Sequence, residues 1–191
     1  MRSNNRLSNQ IRTISCSTGI LHKADGSSKF SLGESTVIAG IFGPVSVPIR
    51  LEKIDAAKVI VVVDPLSGTG GTFEKTLATQ IEKSLDAIID IRSFPRSSIQ
   101  VNLQILAQDG LILPVALNAA VLACIDAGIP MISMIGSISV SVTADGQILL
   151  DPDQGEIDSS VSRHVFAFEE KSSGLVLQES WGSFSISDVI L

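Results

Sequence analysis

The sequence predicts an α+β fold with a mostly antiparallel sheet and two core helices. Three observations predict it. Short strand-like segments, several beside Asp-Gly turns, gather toward both ends of the chain. Two helix-length segments lie in the middle, one amphipathic and one apolar nearly all round. A single strand separates them, so the order is many strands, helix, strand, helix, many strands. A doubly wound fold would alternate strictly.

Each element has its own signal. Residues 1–10, MRSNNRLSNQ, are polar and are expected to fray, leaving 11–191 as one domain. Residues 12–16 read as a short strand. In HKADGSSKFSLGESTVIAGIFGPV, Asp25-Gly26 is expected as the turn, with strands at 29–32 and 36–42 and a break at Gly33. Residues 58–63 are apolar without alternation, which predicts a strand buried on both faces or central in its sheet. Phe73, Leu77, Ile81, Leu85 and Ile88 then recur at helical spacing, so a helix should run to about Ile91. Residues 99–106 alternate as a half-buried strand does. LPVALNAAVLACIDAGIP is the apolar helix, rich in alanine and ended by Gly128 and Pro130. Residues 131–143 and 147–150 form a hairpin around Asp145-Gly146, and 161–169 with 174–180 a further antiparallel pair.

Bulk composition narrows the function. With 191 residues, 45% of them apolar, the chain can bury a core. No apolar run is long enough to span a membrane, and the N-terminus lacks the apolar stretch of a secretory signal. Cys16 and Cys124 form no spacing motif, so free thiols are expected. A net charge of −6 argues against autonomous nucleic-acid binding, and the absence of Tyr leaves few stacking platforms. The stretch VIVVVDPLSGTGGTFEKT has the shape of a phosphate loop. A Walker loop needs Gly-Lys-Ser/Thr where Gly71-Thr72-Phe73 stand, and a dinucleotide fingerprint needs glycine at Phe73. Both templates fail at the residue that matters.

The segments FPRSSIQVNLQILAQDG, LNAAVLACIDAGIPMISMIGSISV and DGQILLDP, in this order, resemble the RNase PH family. ADGSSKFSLGESTVIAGIFGP is similar to that family's opening pattern. The resemblance covers roughly residues 11–187 and is greatest to non-catalytic ring subunits of the eukaryotic RNA exosome. It implies the RNase PH fold, a βαβα core of the ribosomal protein S5 domain 2 type. It also implies side-by-side pairing into a six-membered ring around an RNA channel. Active members are phosphorolytic exoribonucleases. They hold inorganic phosphate on a Gly-Thr/Ser-Arg turn, use arginines on the first helix, and carry an acidic pair downstream. Here Asp109-Gly110 is followed by Leu111-Ile112-Leu113-Pro114, the first helix offers Thr79 and Lys83, Asp151 survives, and the second acid's place falls at Ser162. The resemblance thus implies a degenerate site at Asp109, Asp151 and Ser162, with no catalytic residue, no metal and no cofactor. It also implies a final helix that SFSISDVIL would begin, expected to be truncated here.

The remaining expectations follow. Lys75, Lys83, Arg92 and Arg96 are candidate RNA contacts, set against a solvated helix face. Asp151, Asp153, Glu156 and Asp158 read as a solvated acidic loop without the EF-hand spacing. His22 and His164 lack metal-ligand spacing, and no serine sits in a nucleophile elbow. The leading expectation is an inactive structural subunit of the exosome ring that supports 3′-5′ RNA processing. Its partners would be other RNase PH-like ring subunits, S1/KH cap subunits and, weakly or indirectly, RNA, in nucleus, nucleolus and cytoplasm. The isolated chain is a candidate homodimer. The alternatives are a divergent phosphorolytic or metal-dependent nuclease acting as a homodimer, and, behind it, a nucleotide-binding enzyme.

Overall fold

Val59, Val61, Val63, Ile99, Val101 and Leu103 are six β-branched or leucine side chains that two adjacent strands point to one side. That row and the helices on it are the centre of a computed structural model, which describes Arg2 and residues 6–46 and 52–184. The element order is β1 Ile14–Thr18, β2 Gly26–Leu32, β3 Ser35–Ser46, β4 Lys58–Asp64, α1 Thr72–Ile88, β5 Ser97–Ala107, α2 Ile112–Asp126, β6 Ile135–Thr143, β7 Ile148–Leu150, α3 Gln154–Asp158, β8 Ser160–Glu169 and β9 Leu175–Gly182. A 3₁₀ turn at Ile91–Ser93 precedes β5. The stretch β4-α1-β5-α2 is the βαβα core.

Two sheets form. One has the order β1-β2-β3-β5-β4 and the other β7-β6-β8-β9. Every neighbouring pair is antiparallel except β4 with β5, because only the α1 crossover can join parallel neighbours. Helix α2 packs on β2 and β3 from one sheet and β6 from the other. This position between layers explains its all-round apolar sequence: Val115, Ala116, Leu117, Ala119, Ala120 and Ala123 are buried without exposure. It ends in a Schellman motif, in which Gly128 and Ile129 donate to the Ile125 and Cys124 carbonyls. Burial pushes the Cys124 thiol up to about 12, so it serves as a small apolar side chain.

The structure corrects several local expectations. The β2–β3 reversal lies at Gly33-Glu34, between the paired Leu32 and Ser35, and not at Asp25-Gly26. Gly26 is already in β2, and its glycine answers a close approach: a Cβ there would lie 2.3 Å from the Ala127 backbone nitrogen. Strand β4 is neither central nor buried on both faces. It is the outermost strand of its sheet and alternates, with Val62 45% exposed. Helix α1 stops at Ile88, where Ile89 turns extended and bridges to Met131. Phe73 lies outside the buried stripe of Leu77, Ile81, Leu85 and Ile88 and is 56% exposed. The expected acidic loop contains helix α3. The expected C-terminal helix start falls largely on residues 185–191, outside the described residues. No described helix is long and apolar enough to cross a membrane.

Candidate functional site

Strand β5 delivers Asp109 to the end of the sheet where α1 and α2 both begin. Ser35 fixes the turn there: its hydroxyl accepts the Asp109 N–H at 2.9 Å and donates to the Asp109 carbonyl at 2.7 Å. Gly110 follows at φ +96, with the Pro152 carbonyl so close that a Cβ would lie 2.7 Å from it. Asp109 therefore stands against the segment that carries Asp151. Its Oδ1 accepts the Gln154 N–H at 3.0 Å, and its Oδ2 accepts Arg12 Nη1 at 2.8 Å.

Arg12 also clamps Asp151. Its Nη2 donates to Oδ1 at 2.7 Å, its Nε to Oδ2 at 2.9 Å, and its backbone N–H to Oδ2 at 2.8 Å. Asp151 has no solvent exposure and a backbone φ of +50. Burial works against the Arg12 charge, yet its bonds to Asp151 and the nearby Asp109 raise its pKa above the ordinary value. A buried carboxylate in this position requires such a partner.

Two more arginines complete the cluster. Arg2 forks onto Glu156, Nε to Oε1 at 2.8 Å and Nη2 to Oε2 at 2.9 Å, and reaches the Leu150 carbonyl at 2.7 Å. Arg6 lies 3.6 Å from both Asp151 and Glu156. Glu156 also accepts the Asp153 N–H, while Asp153 caps α3 by accepting the Glu156 N–H. Burial alone would push the Glu156 carboxyl up; Arg2 and the Asp153 N–H hold it below the usual range. The stretch read as a solvated acidic loop is thus an arginine-bound cluster and a capped helix. Among the described residues, no group of three or more His, Cys, Asp or Glu is placed to hold a metal.

The structure brings Asp109 and Asp151 together and keeps Ser162 apart. Asp151 donates its N–H to Ser139 on one side of β6, whereas Ser162 pairs with Val142 from β8 on the other. Those points are three residue steps apart along β6, roughly 10 Å. Ser162 instead bonds the buried His164, whose other ring nitrogen meets Ser180. The four candidate cations are also divided. Lys75 lies in the first turn of α1, at the carboxylate end; Arg92 and Arg96 precede β5, at the far end of an eleven-residue strand. All four are exposed, and Arg96 sits 3.5 Å from Glu52. In the glycine loop, the Gly71 N–H donates to Glu74 at 2.7 Å, so the chain's own carboxylate faces that helix terminus.

Arg2, Arg6 and Arg12 escaped the sequence reading, which left residues 1–10 to fray and took Arg12 only as the start of a short strand. A signal was present: Asp151 follows an apolar strand, and a buried acid needs a cation from elsewhere in the chain.

A model of the RNase PH group, described as the 3′ exoribonuclease family, domain 1, matches residues 10–130. The chain belongs to the RNase PH family. Within that family, it is 34% identical over 155 residues to the Arabidopsis thaliana protein named exosome complex exonuclease RRP46 homolog. That match takes in 81% of this chain and 65% of the relative. It is 36% identical over 146 residues to the Schizosaccharomyces pombe exosome complex component rrp46, taking in 76% of this chain and 63% of the relative. The chain thus spans slightly under two thirds of these two relatives. The crystal structure of rice Rrp46 superposes with a TM-score of 0.94 at 30% identity, over 99% of this chain and 89% of that one. A chain of the Archaeoglobus fulgidus exosome with RNA bound shares the RNase PH fold, with a TM-score of 0.82 at 18% identity, over 97% of this chain and 83% of that one.

Proposed function

We propose that this RNase PH-family chain is a wall of an RNA exosome ring that holds its neighbours in place and does not itself cut RNA. One observation carries the reading. Both carboxylate oxygens of Asp151 are already bound by Arg12. The neighbouring first turn of α2 supports it, since Ile112, Leu113 and Pro114 are buried apolar residues. An attacking phosphate needs cations and fixed donors beside an anionic RNA backbone; that turn supplies no cation and no polar side chain, and Pro114 removes one of its backbone N–H groups. The Arabidopsis, fission yeast and rice relatives are named as exosome complex proteins.

In this reading the partners are other RNase PH-like ring subunits and S1/KH cap subunits. The assembly processes RNA 3′ to 5′, in rRNA maturation and mRNA turnover, in nucleus, nucleolus and cytoplasm. RNA touches this subunit only through exposed cations such as Lys75, Lys83, Arg92 and Arg96. The test is direct. The purified chain, given RNA, phosphate and magnesium, should release no nucleoside diphosphate. Native mass measurement should show it captured by RNase PH-like subunits.

A second reading, a divergent phosphorolytic or metal-dependent nuclease acting as a homodimer, draws on the word exonuclease in the names of the Arabidopsis and rice relatives. Phosphate-dependent trimming by the lone chain, lost on Asp109→Asn without loss of fold, would establish it instead.

A further inference from the structure

Trp181 is the chain's only tryptophan. It is half-buried and packs against the hydrophobic core. The guanidinium carbon of Arg163 lies over its ring, 5.6 Å from the centroid, a cation–π contact. Arg163 and Trp181 oppose each other on β8 and β9, and Ser141 opposes Arg163 from β6. The two neighbouring rows on the same face are Ser139–Val165–Glu179 and Ser137–Ala167–Leu177. Their Val165 and Ala167 belong to the core that α2 shares. At the row of Arg163, therefore, the helix-facing side of this sheet runs out of core. Asp151 donates its N–H to the Ser139 carbonyl, one row away and roughly 7 Å along the strand. The row thus stands at the end of the molecule where the carboxylates gather and where Lys75 occupies the first turn of α1.

The charges there differ from those of the arginine cluster. Among the described residues, Arg163 enters no ion pair and donates no hydrogen bond, and its nitrogens are reached by water. Asp109 and Asp151 are bound by Arg12, and Glu74 by the Gly71 N–H. Glu179, next to Trp181 on the same face of β9, forms no ion pair with Arg163. Arg163 is thus a cation free of the chain's acids and fixed on an aromatic ring. A lone phosphate or carboxylate would use the guanidinium and leave the indole idle; the ring selects a ligand with a flat face. We propose that Arg163 and Trp181 form a shelf for one nucleotide of a single-stranded nucleic acid. The indole and guanidinium stack a base, and the guanidinium donors take the adjoining phosphate. Duplexes are refused because their base faces are already stacked. Glu179 repels the phosphate and keeps the affinity low.

This shelf rests on the ring reading for the strand it meets, and extends RNA contact beyond the exposed surface cations. The two fail separately: capture by ring subunits without any nucleic-acid effect on Trp181 would sink the shelf and leave the ring. The experiment uses the lone indole N–H signal that a single tryptophan gives in a proton–nitrogen correlation spectrum of the full chain. A short oligoadenylate, titrated to about 1 mM at low salt, should move that signal saturably. A duplex RNA and a polyglutamate peptide should not. Arg163→Lys keeps the charge and loses the plane and the fork, so it should weaken binding at least about fivefold. Glu179→Gln removes a repelling charge and should tighten binding. The remaining amide signals check that each variant is folded. An indole signal that stays still overturns the proposal. So does one that duplex or peptide moves as far as the single strand, and so does an Arg163→Lys chain that binds like the wild type.

Discussion

The two ends of β5 carry charge in opposite ways. At the end where the helices begin, Asp109, Asp151 and Glu156 meet Arg2, Arg6 and Arg12, and most of these groups are buried. At the other end, Arg92 and Arg96 stand in solvent, and the Arg96 side chain is 67% exposed beside Glu52. The first set is converged and neutralised; the second is open and spread. Acids in the first set are close enough for joint chemistry, but each of their carboxylate oxygens already accepts a hydrogen bond. Cations in the second set face solvent, Arg92 exposed and Arg96 with Glu52 at 3.5 Å, and are spread over the surface. Proximity and availability are separate requirements, and each end meets one of them.

Breaking the buried end should cost most. Arg12→Ala strips buried Asp151 of both guanidinium bonds and leaves it the residue-12 backbone N–H and Arg6 at 3.6 Å, which should destabilise the fold by about 3 kcal/mol in urea unfolding. A loss below about 1 kcal/mol would mean that water reaches Asp151 and that the clamp is superficial. Arg2→Ala should cost about 1 kcal/mol at pH 7, since its pair with Glu156 lies nearer the surface. The pH dependence separates the two variants. The folded Glu156 carboxyl lies below its ordinary value of 4.5, so its contribution is complete above that value. It is lost as pH falls through the lower folded value. The gap between wild type and Arg2→Ala should therefore close in acid.

These contrasts also show what the sequence carries. Periodicity located α1, and uniform apolarity located α2, because each helix's burial is written in its own residues. The βαβα order was likewise legible from the alternation of signals. The apolar run of β4 was read as buried on both faces or central because sequence records that a face is covered and not what covers it. The arginine clamp was hidden for a related reason. Arg12 and Asp151 lie 139 positions apart, and only the packing of β1's leading residues against the end of β7 makes them partners. The five residues of α3 are too few for a period to show.

Asp86 offers an intermediate case between the two ends. It lies on α1, half-buried, and its Oδ1 has no hydrogen-bond partner among the described residues. Burial raises its pKa, only partly opposed by Lys53 and Lys58. A raised carboxyl costs stability once it ionises, so the penalty is absent in acid and grows as pH rises through the folded value. Asp86→Asn should stabilise the chain by about 0.5 kcal/mol at pH 7, with the gain vanishing in acid. Thermal unfolding at two pH values checks the sign.

The smallest effects on stability belong to the exposed cations, and there the comparison becomes functional. Lys75→Ala, Lys83→Ala and Arg92→Ala should each change unfolding free energy by no more than about 0.5 kcal/mol. Their RNA affinities, measured in the assembled ring across a salt series, should still differ. Each lost contact with a single strand lowers the slope of log K against log salt by about 0.7. Lys75 lies in the first turn of α1 and Arg92 just past its end, roughly 20 Å apart along the helix axis, so a single phosphate cannot contact both. A slope that falls for Lys75→Ala and not for Arg92→Ala places the RNA over the helix N-termini, beside the clamped acids. The reverse places it at the open end. Unchanged slopes for all three would mean that these cations only solvate the surface, and that the ring guides RNA through its other subunits.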